Sequence, residues 1–275
     1  MRVPLVKWAG GKRQLLEKLN ERLPKKWGTY FEPFVGGGAL LVYLHNQRRI
    51  NKAIISDLNG ELINFYRVVK NDPEKLICEL HNPIFKNNSV SFNEIKAEFN
   101  EIIGTKGSKV KRAACLLYLN KHGFNGLWRV NSKGKYNVPF GHHTRRSLPS
   151  DLAIMNFHKM LETVTIFNYD FKKAVKTARK GDFIYFDPPY HPISKTASFT
   201  DYNSNGFKFQ DQERLANLFK SLSDKGVFVM LSNSRIQIIE DLYAGFNIKH
   251  VEAKRFINCN GERRSGIFEI IVTNY

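Results

Sequence analysis

Cysteine is scarce: three residues in 275, Cys78, Cys115 and Cys259, none in a Cys-x-x-Cys pair. That argues against a disulfide framework and against a zinc site, and fits a reducing cytoplasm. His122, His158 and His191 have no partner at ligand spacing, and His142-His143 sits in a basic loop, so no metal is expected. Long apolar runs are missing as well, so no membrane span is expected. The opening Met1-Arg2-Val3-Pro4-Leu5-Val6-Lys7-Trp8 is broken by Pro4 and Lys7 and is expected not to act as a signal peptide. Repeats and low-complexity tracts are absent.

Acidic residues are missing from one stretch altogether. Between Ile102 and Ser150 there is no Asp or Glu, yet ten basic residues fall there: Lys106, Lys109, Lys111, Arg112, Lys121, Arg129, Lys133, Lys135, Arg145 and Arg146. They exceed half of the net charge of +18. Tyr118, Phe124, Trp128, Tyr136 and Phe140 are interleaved with them. Basic side chains meet phosphates, and aromatics stack on or wedge between bases, so this segment is expected to touch nucleic acid.

Hydrophobic residues make up 42% of the chain, enough for one large domain or a core domain with an insertion. Short apolar runs predict strands at Tyr30–Pro33, Ala53–Asp57, Val164–Asn168, Asp182–Asp187, Val227–Ser232, Ile248–Val251 and Phe268–Thr273. Helical patterns separate them at Arg13–Arg22, Ala39–Gln47, Glu61–Val69, Gln210–Leu222 and Ile236–Leu242. The alternation predicts an α/β protein with a mostly parallel sheet covered on both faces. The middle differs: Asp72–Leu80, Phe92–Ile103 and Val110–Asn120 read as helices, and Trp128–Val138 as a hairpin turning at Asn131–Gly134. The expected division is a core of residues 1–70 and 151–275 with an inserted helical domain, 71–150, carrying a basic hairpin.

Asp187-Pro188-Pro189-Tyr190 ends one buried run. Each proline fixes φ and removes an N–H, so the chain leaves the sheet as a stiff corner. A carboxylate, backbone carbonyls and a flat aromatic face suit a planar base with an exocyclic amine: Tyr190 stacks on it, while Asp187 and a nearby carbonyl accept the amine hydrogens. The signature resembles the catalytic motif of amino-group DNA methyltransferases. Earlier, Phe31-Glu-Pro-Phe-Val-Gly-Gly-Gly-Ala39 runs from strand to helix, and Asp57 closes the next strand about 20 residues on, a pairing that suits a ribose-containing ligand. The spacing is not the dinucleotide fingerprint. Both NAD and S-adenosylmethionine fit so far. Lys7-Trp8-Ala9-Gly10-Gly11-Lys12 superficially resembles a phosphate loop, but Arg13 stands where Ser or Thr belongs. Its better use is to clamp an amino-acid moiety, with Lys12 on a carboxylate and the Trp8 face on a cation, which S-adenosylmethionine offers and NAD does not. Asp170 with Phe171 either grips an adenine ring or begins a helix.

With these parts in order, the whole chain resembles the Dam-type, alpha-group DNA adenine-N6 methyltransferases. The likeness extends through Asn120-Lys-His-Gly-Phe-Asn-Gly-Leu-Trp-Arg-Val-Asn-Ser-Lys-Gly-Lys-Tyr-Asn-Val-Pro-Phe-Gly141, which is similar to the hairpin of members that methylate adenine in GATC. The resemblance implies a Rossmann-like sheet, S-adenosylmethionine as donor, no metal, and duplex DNA as partner with the adenine flipped out. It implies Asp187, Pro188 and Tyr190 at the reacting base. It implies Trp8, Gly10, Lys12, Phe34, Gly36, Asp57, Asp170, Phe171 and Asp187 around the cofactor. On DNA it implies Arg129 reading a guanine, Leu127 and Pro139 against the target bases, Phe124 as wedge where the family often has Tyr, Asn125 beside it, and Lys7 on the outer guanine. Trp128 is expected only to pack the hairpin. Cytosine N4, RNA adenine and protein glutamine remain alternative acceptors, as does a DNA-binding protein with a dead transfer site. Whether a cognate restriction endonuclease accompanies the enzyme is left open.

Overall fold

The computed structural model describes residues 3–142, 148–190, 207–253 and 267–275. Arg145, Arg146, His143, His191 and Cys259 lie outside them. Seven strands form one sheet: β1 (Tyr30–Glu32), β2 (Ala53–Ser56), β3 (Val164–Phe167), β4 (Phe183–Phe186), β5 (Phe228–Ser234), β6 (Asn247–Ala253) and β7 (Ile267–Thr273). Their order is β3-β2-β1-β4-β5-β7-β6. The first five are parallel, and β7 runs antiparallel between β5 and β6. All seven predicted strands are present.

The helices are α1 (Leu16–Asn20), α2 (Ala39–Asn46), α3 (Gly60–Asn71), α4 (Pro73–Leu80), α5 (Ser89–Ile102), α6 (Lys109–His122), α7 (Asp151–Leu161), α8 (Phe171–Ala174), α9 (Phe209–Asp224) and α10 (Gln237–Leu242). The sequence had not marked α7 as a helix, and α8 follows one of the two readings of Asp170, a helix start. The helix expected at Arg13–Arg22 is broken, a 3₁₀ turn at Lys12–Gln14 preceding α1. Local chemistry starts several of the others: Asn59 accepts from Glu61 N and Leu62 N, Asn88 from Ser91 N, and Ser150 from Ala153 N, while Pro73 opens α4.

Side chains alternate across the sheet into two cores. Tyr30, Ala53, Ile55, Phe183, Tyr185 and Met230 join the first, with α2, α3, α6 and α7. Phe31, Ile184, Phe186, Val229 and Leu231 join the second, with α9 and α10. Burial on both faces explains why β4 is apolar at every position. The helices α5 and α6 and the hairpin residues Trp128, Tyr136 and Val138 belong to the first core. The hairpin is narrow: Val130 bridges Tyr136, Gly123 bridges Phe140, and Gly134 N donates to Asn131 O at the turn.

Candidate active site

From β1 the chain steps outward to β2 and then β3, whereas β4 and β5 lie on the other side of β1. The strand order therefore switches between β1 and β4, and ligands of open α/β sheets bind beyond the carboxyl ends at such a switch. The loop Phe34–Gly38 follows β1 and Asp187 follows β4. Val35 N donates to Ser56 O (3.0 Å), Gly36 N to Asp57 Oδ2 (3.1 Å), and Tyr66 OH to Gly36 O (2.9 Å). Gly36 has φ +47°, and a Cβ there would lie 2.9 Å from Trp8 Cδ1. A side chain at 36 would be strained and would displace the indole. Burial pushes the Asp57 carboxyl up to about 6, against the N–H groups of Asn59, Gly36 and Leu58.

The Asp187 corner is held at three points. Lys12, 5% exposed, places Nζ 2.7 Å from Asp187 Oδ1 and donates to Gly10 O (2.6 Å). The same ammonium stands 4.5 Å from the centre of the Tyr190 ring. Gln212 Nε2 donates to Pro189 O (3.1 Å), and the buried Asn233 Nδ2 donates to Gln212 Oε1 (2.9 Å). Tyr190 OH donates to Glu269 Oε2 (2.6 Å). Burial drives the Asp187 carboxyl up to about 6; Lys12 opposes this and Glu269 adds to it. Glu32, at the end of β1, is pushed up to about 8 by burial, with Asp187 adding and the hydroxyl of Tyr30 (2.8 Å) opposing. Sequence reasoning missed Glu32, Gln212, Asn233 and Glu269. For Glu32, Asn233 and Glu269 the cue was a polar residue inside an apolar strand; Gln212, on α9, carried none.

Trp8 stacks on Trp128, with ring centres 6.0 Å apart and planes at 20°. Trp128 therefore does more than pack the hairpin against Phe99 and Tyr136, since it also backs the indole beside the glycine loop. Phe34 stacks on Phe171 (5.4 Å), and Phe171 is 2% exposed between Phe34, Phe207 and Arg214. Asp170 begins α8 by accepting from Lys172 N, and pairs with Arg214 at 3.3 Å. Phe34 thus offers a ring to a ligand more readily than Phe171.

The hairpin divides by face. Trp128, Tyr136 and Val138 are buried, whereas Phe124 (49% exposed), Arg129, Asn137 and Pro139 face solvent, with Leu127 and Asn125 half-buried beside them. Arg129 Nε donates to Asn137 Oδ1 (2.7 Å). Asn120, 4% exposed, accepts from Lys7 N (2.8 Å) and donates to Lys7 O (2.6 Å) and Gly126 O (3.0 Å), which fastens the Lys7–Lys12 segment to the hairpin base. The expected basic surface needs one correction. Arg112 is buried against Glu61 (2.7 Å) and Lys111 is bound by Glu79 and Glu98 (3.2 Å each), because α6 crosses the core.

S-adenosylmethionine fits this edge of the sheet. An acid stands at the tip of β2 for the ribose, aromatic faces for the adenine, and a buried Lys12–Asp187 pair of opposite charges for the amino-acid carboxylate and ammonium. The site is that of an S-adenosylmethionine-dependent methyltransferase. Residues 8–257 match the model of the D12 class N6 adenine-specific DNA methyltransferases, and the chain belongs to that family. It is 45% identical to the type II methyltransferase M1.LlaDCHI of Lactococcus lactis subsp. cremoris over 274 residues, 99% of this chain and 95% of the relative. It is 35% identical to a DNA adenine methylase of Haemophilus influenzae over 269 residues, 98% and 92% of the two. A solved human methyltransferase 10 domain containing protein aligns at TM-score 0.39 and 10% identity, over 96% of this chain and 80% of the other. The enzyme is an adenine-specific DNA methyltransferase with S-adenosylmethionine as donor. Among the described residues no helix is long and apolar enough to cross a membrane.

Proposed function

We propose that the enzyme methylates adenine N6 within GATC of duplex DNA in the cytoplasm, taking the base out of the helix, and protects host DNA either alone or beside a restriction endonuclease. Residues 1–70 and 151–275 carry catalysis, and 71–150 carry target recognition. The observation that supports this best is the Asp187–Tyr190 corner at the sheet's switch point, ion-paired to Lys12 at 2.7 Å and next to the glycine loop.

S-adenosylmethionine, when bound, supplies a methyl group activated on a sulfonium. Asp57 holds its ribose, Phe34, Asp170 and Phe171 flank its adenine, Lys12 and Asp187 face its amino-acid end, and Trp8, Gly10 and Gly36 shape the wall. The N6 lone pair of adenine is delocalised into the ring and is a poor nucleophile. Asp187 and the Pro188 carbonyl accept the two N6 hydrogens and favour a tetrahedral nitrogen with a localised lone pair. Gln212 already occupies the Pro189 carbonyl, which leaves the Pro188 carbonyl to the substrate. The Asp187 charge stands where positive charge builds on N6. Tyr190 stacks on the flipped base and Phe124 fills the gap, offsetting the few kcal/mol of unstacking. Arg129 leaves Asn137 to read a guanine, Leu127 and Pro139 touch the target bases, Asn125 supports the wedge, and Lys7 meets the outer guanine.

Replacing Asp187 with alanine should abolish single-turnover methylation while DNA binding stays intact. Substantial residual turnover would remove Asp187 from the reacting centre.

A further inference from the structure

The structure assigns to Glu269 the task of fixing where the Tyr190 ring points, making it a positioning residue for the flipped base. The inference rests on the methylation reading above. Glu269 lies on β7, where its backbone pairs with Ser234 of β5 and Val251 of β6. It is 6% exposed, and among the described residues no Lys, Arg or His comes within 4.0 Å of its carboxylate. Burial withdraws that carboxylate from water, which makes its hydrogen-bond partner matter. Its short bond, 2.6 Å, comes from Tyr190 OH.

Tyr190 sits just past two prolines, so its backbone is stiff, but the ring can still turn about its side-chain bonds. The hydroxyl oxygen lies on the ring's long axis, so a strand remote in sequence that grips it holds the direction of that axis. The ring is held beside the Lys12–Asp187 pair before any base arrives, so a stacked adenine meets a ring already in position and its amine falls near Asp187. Glu269 touches neither the base nor the donor in this arrangement; it acts through Tyr190. The essential property is the acceptor oxygen, which glutamine also provides.

The test compares Glu269→Ala, Glu269→Gln and Tyr190→Phe on a GATC duplex, with kcat, KM for DNA and donor binding measured on each, and with 2-aminopurine emission at the target position. Glu269→Ala should lower kcat about 10–100-fold with KM for DNA little changed, as expected for a misplaced reacting pair. Emission from the bound 2-aminopurine should rise as stacking loosens. Glu269→Gln should restore most of kcat, and Tyr190→Phe, which removes the same bond from the other side, should match Glu269→Ala even if the latter folds poorly. A Glu269→Gln as damaged as Glu269→Ala, or a Tyr190→Phe with wild-type kcat, overturns the proposal. No transfer by the wild-type enzyme refutes the methylation reading and this proposal with it. Wild-type turnover with an indifferent Glu269→Ala refutes the proposal alone.

Discussion

Replacing Lys12 with methionine keeps the side chain's length and removes the cation 2.7 Å from Asp187 Oδ1. Burial and Glu269 push the Asp187 carboxyl up, Lys12 pulls it down, and the balance stands at about 6. An opposite charge this close lowers a carboxyl by roughly 1–3 pH units, so its loss moves Asp187 to somewhere between about 7 and 9. At pH 7 a carboxyl titrating near 8 is only about one-tenth ionised, which costs about tenfold in rate, and raising the pH recovers it. Single-turnover methylation at saturating donor and duplex, followed from about pH 5.5 to about pH 9.5, reads this directly. The wild-type rate should climb through about 6, and the variant's climb should lie at least about one pH unit higher. A variant whose climb still falls near 6, with a uniform loss at every pH, would refute control of the Asp187 charge by Lys12. The same group bears on stability. Its folded value lies above its ordinary 3.8, so its stabilising contribution is complete below 3.8 and is lost as pH rises through about 6. That interval is worth at most about 3 kcal/mol at 1.36 kcal/mol per pH unit.

Arg129→Ala should relax discrimination at one guanine by about 1–3 kcal/mol in competition binding, while non-cognate DNA is held nearly as before; equal losses on both would remove its reading role. Asn120→Ala strips the partner from Lys7 N, Lys7 O and Gly126 O and should cost about 2–4 kcal/mol in thermal or denaturant unfolding. A change below about 0.5 kcal/mol, the range of ordinary surface substitutions, would mean that the Lys7 segment is held by other contacts.

Much of the fold was legible because the buried strands are short apolar runs between polar turns, with helical patterns between them. The α7 helix was legible too: Ser150 caps it, and Ile154, Phe157, Met160 and Leu161 are spaced to bury one face. The four residues of α8 are too few to show a period. Asp187, Tyr190 and the glycine loop announced themselves because their chemistry is local. Lys12 on Asp187, Gln212 on Pro189 and Glu269 on Tyr190 did not, since each joins residues far apart in sequence that only the sheet order brings together. Arg112 misled for the same reason: its partner Glu61 lies on another helix.

The most direct test of the central claim is methyl transfer from labelled S-adenosylmethionine to three duplexes: one with GATC, one with that adenine already N6-methylated on both strands, and one with the site scrambled. Label on the first alone is the predicted result and fixes acceptor atom and sequence together. Label on the premethylated duplex, or equally on the scrambled one, would contradict N6 of adenine in GATC as the target.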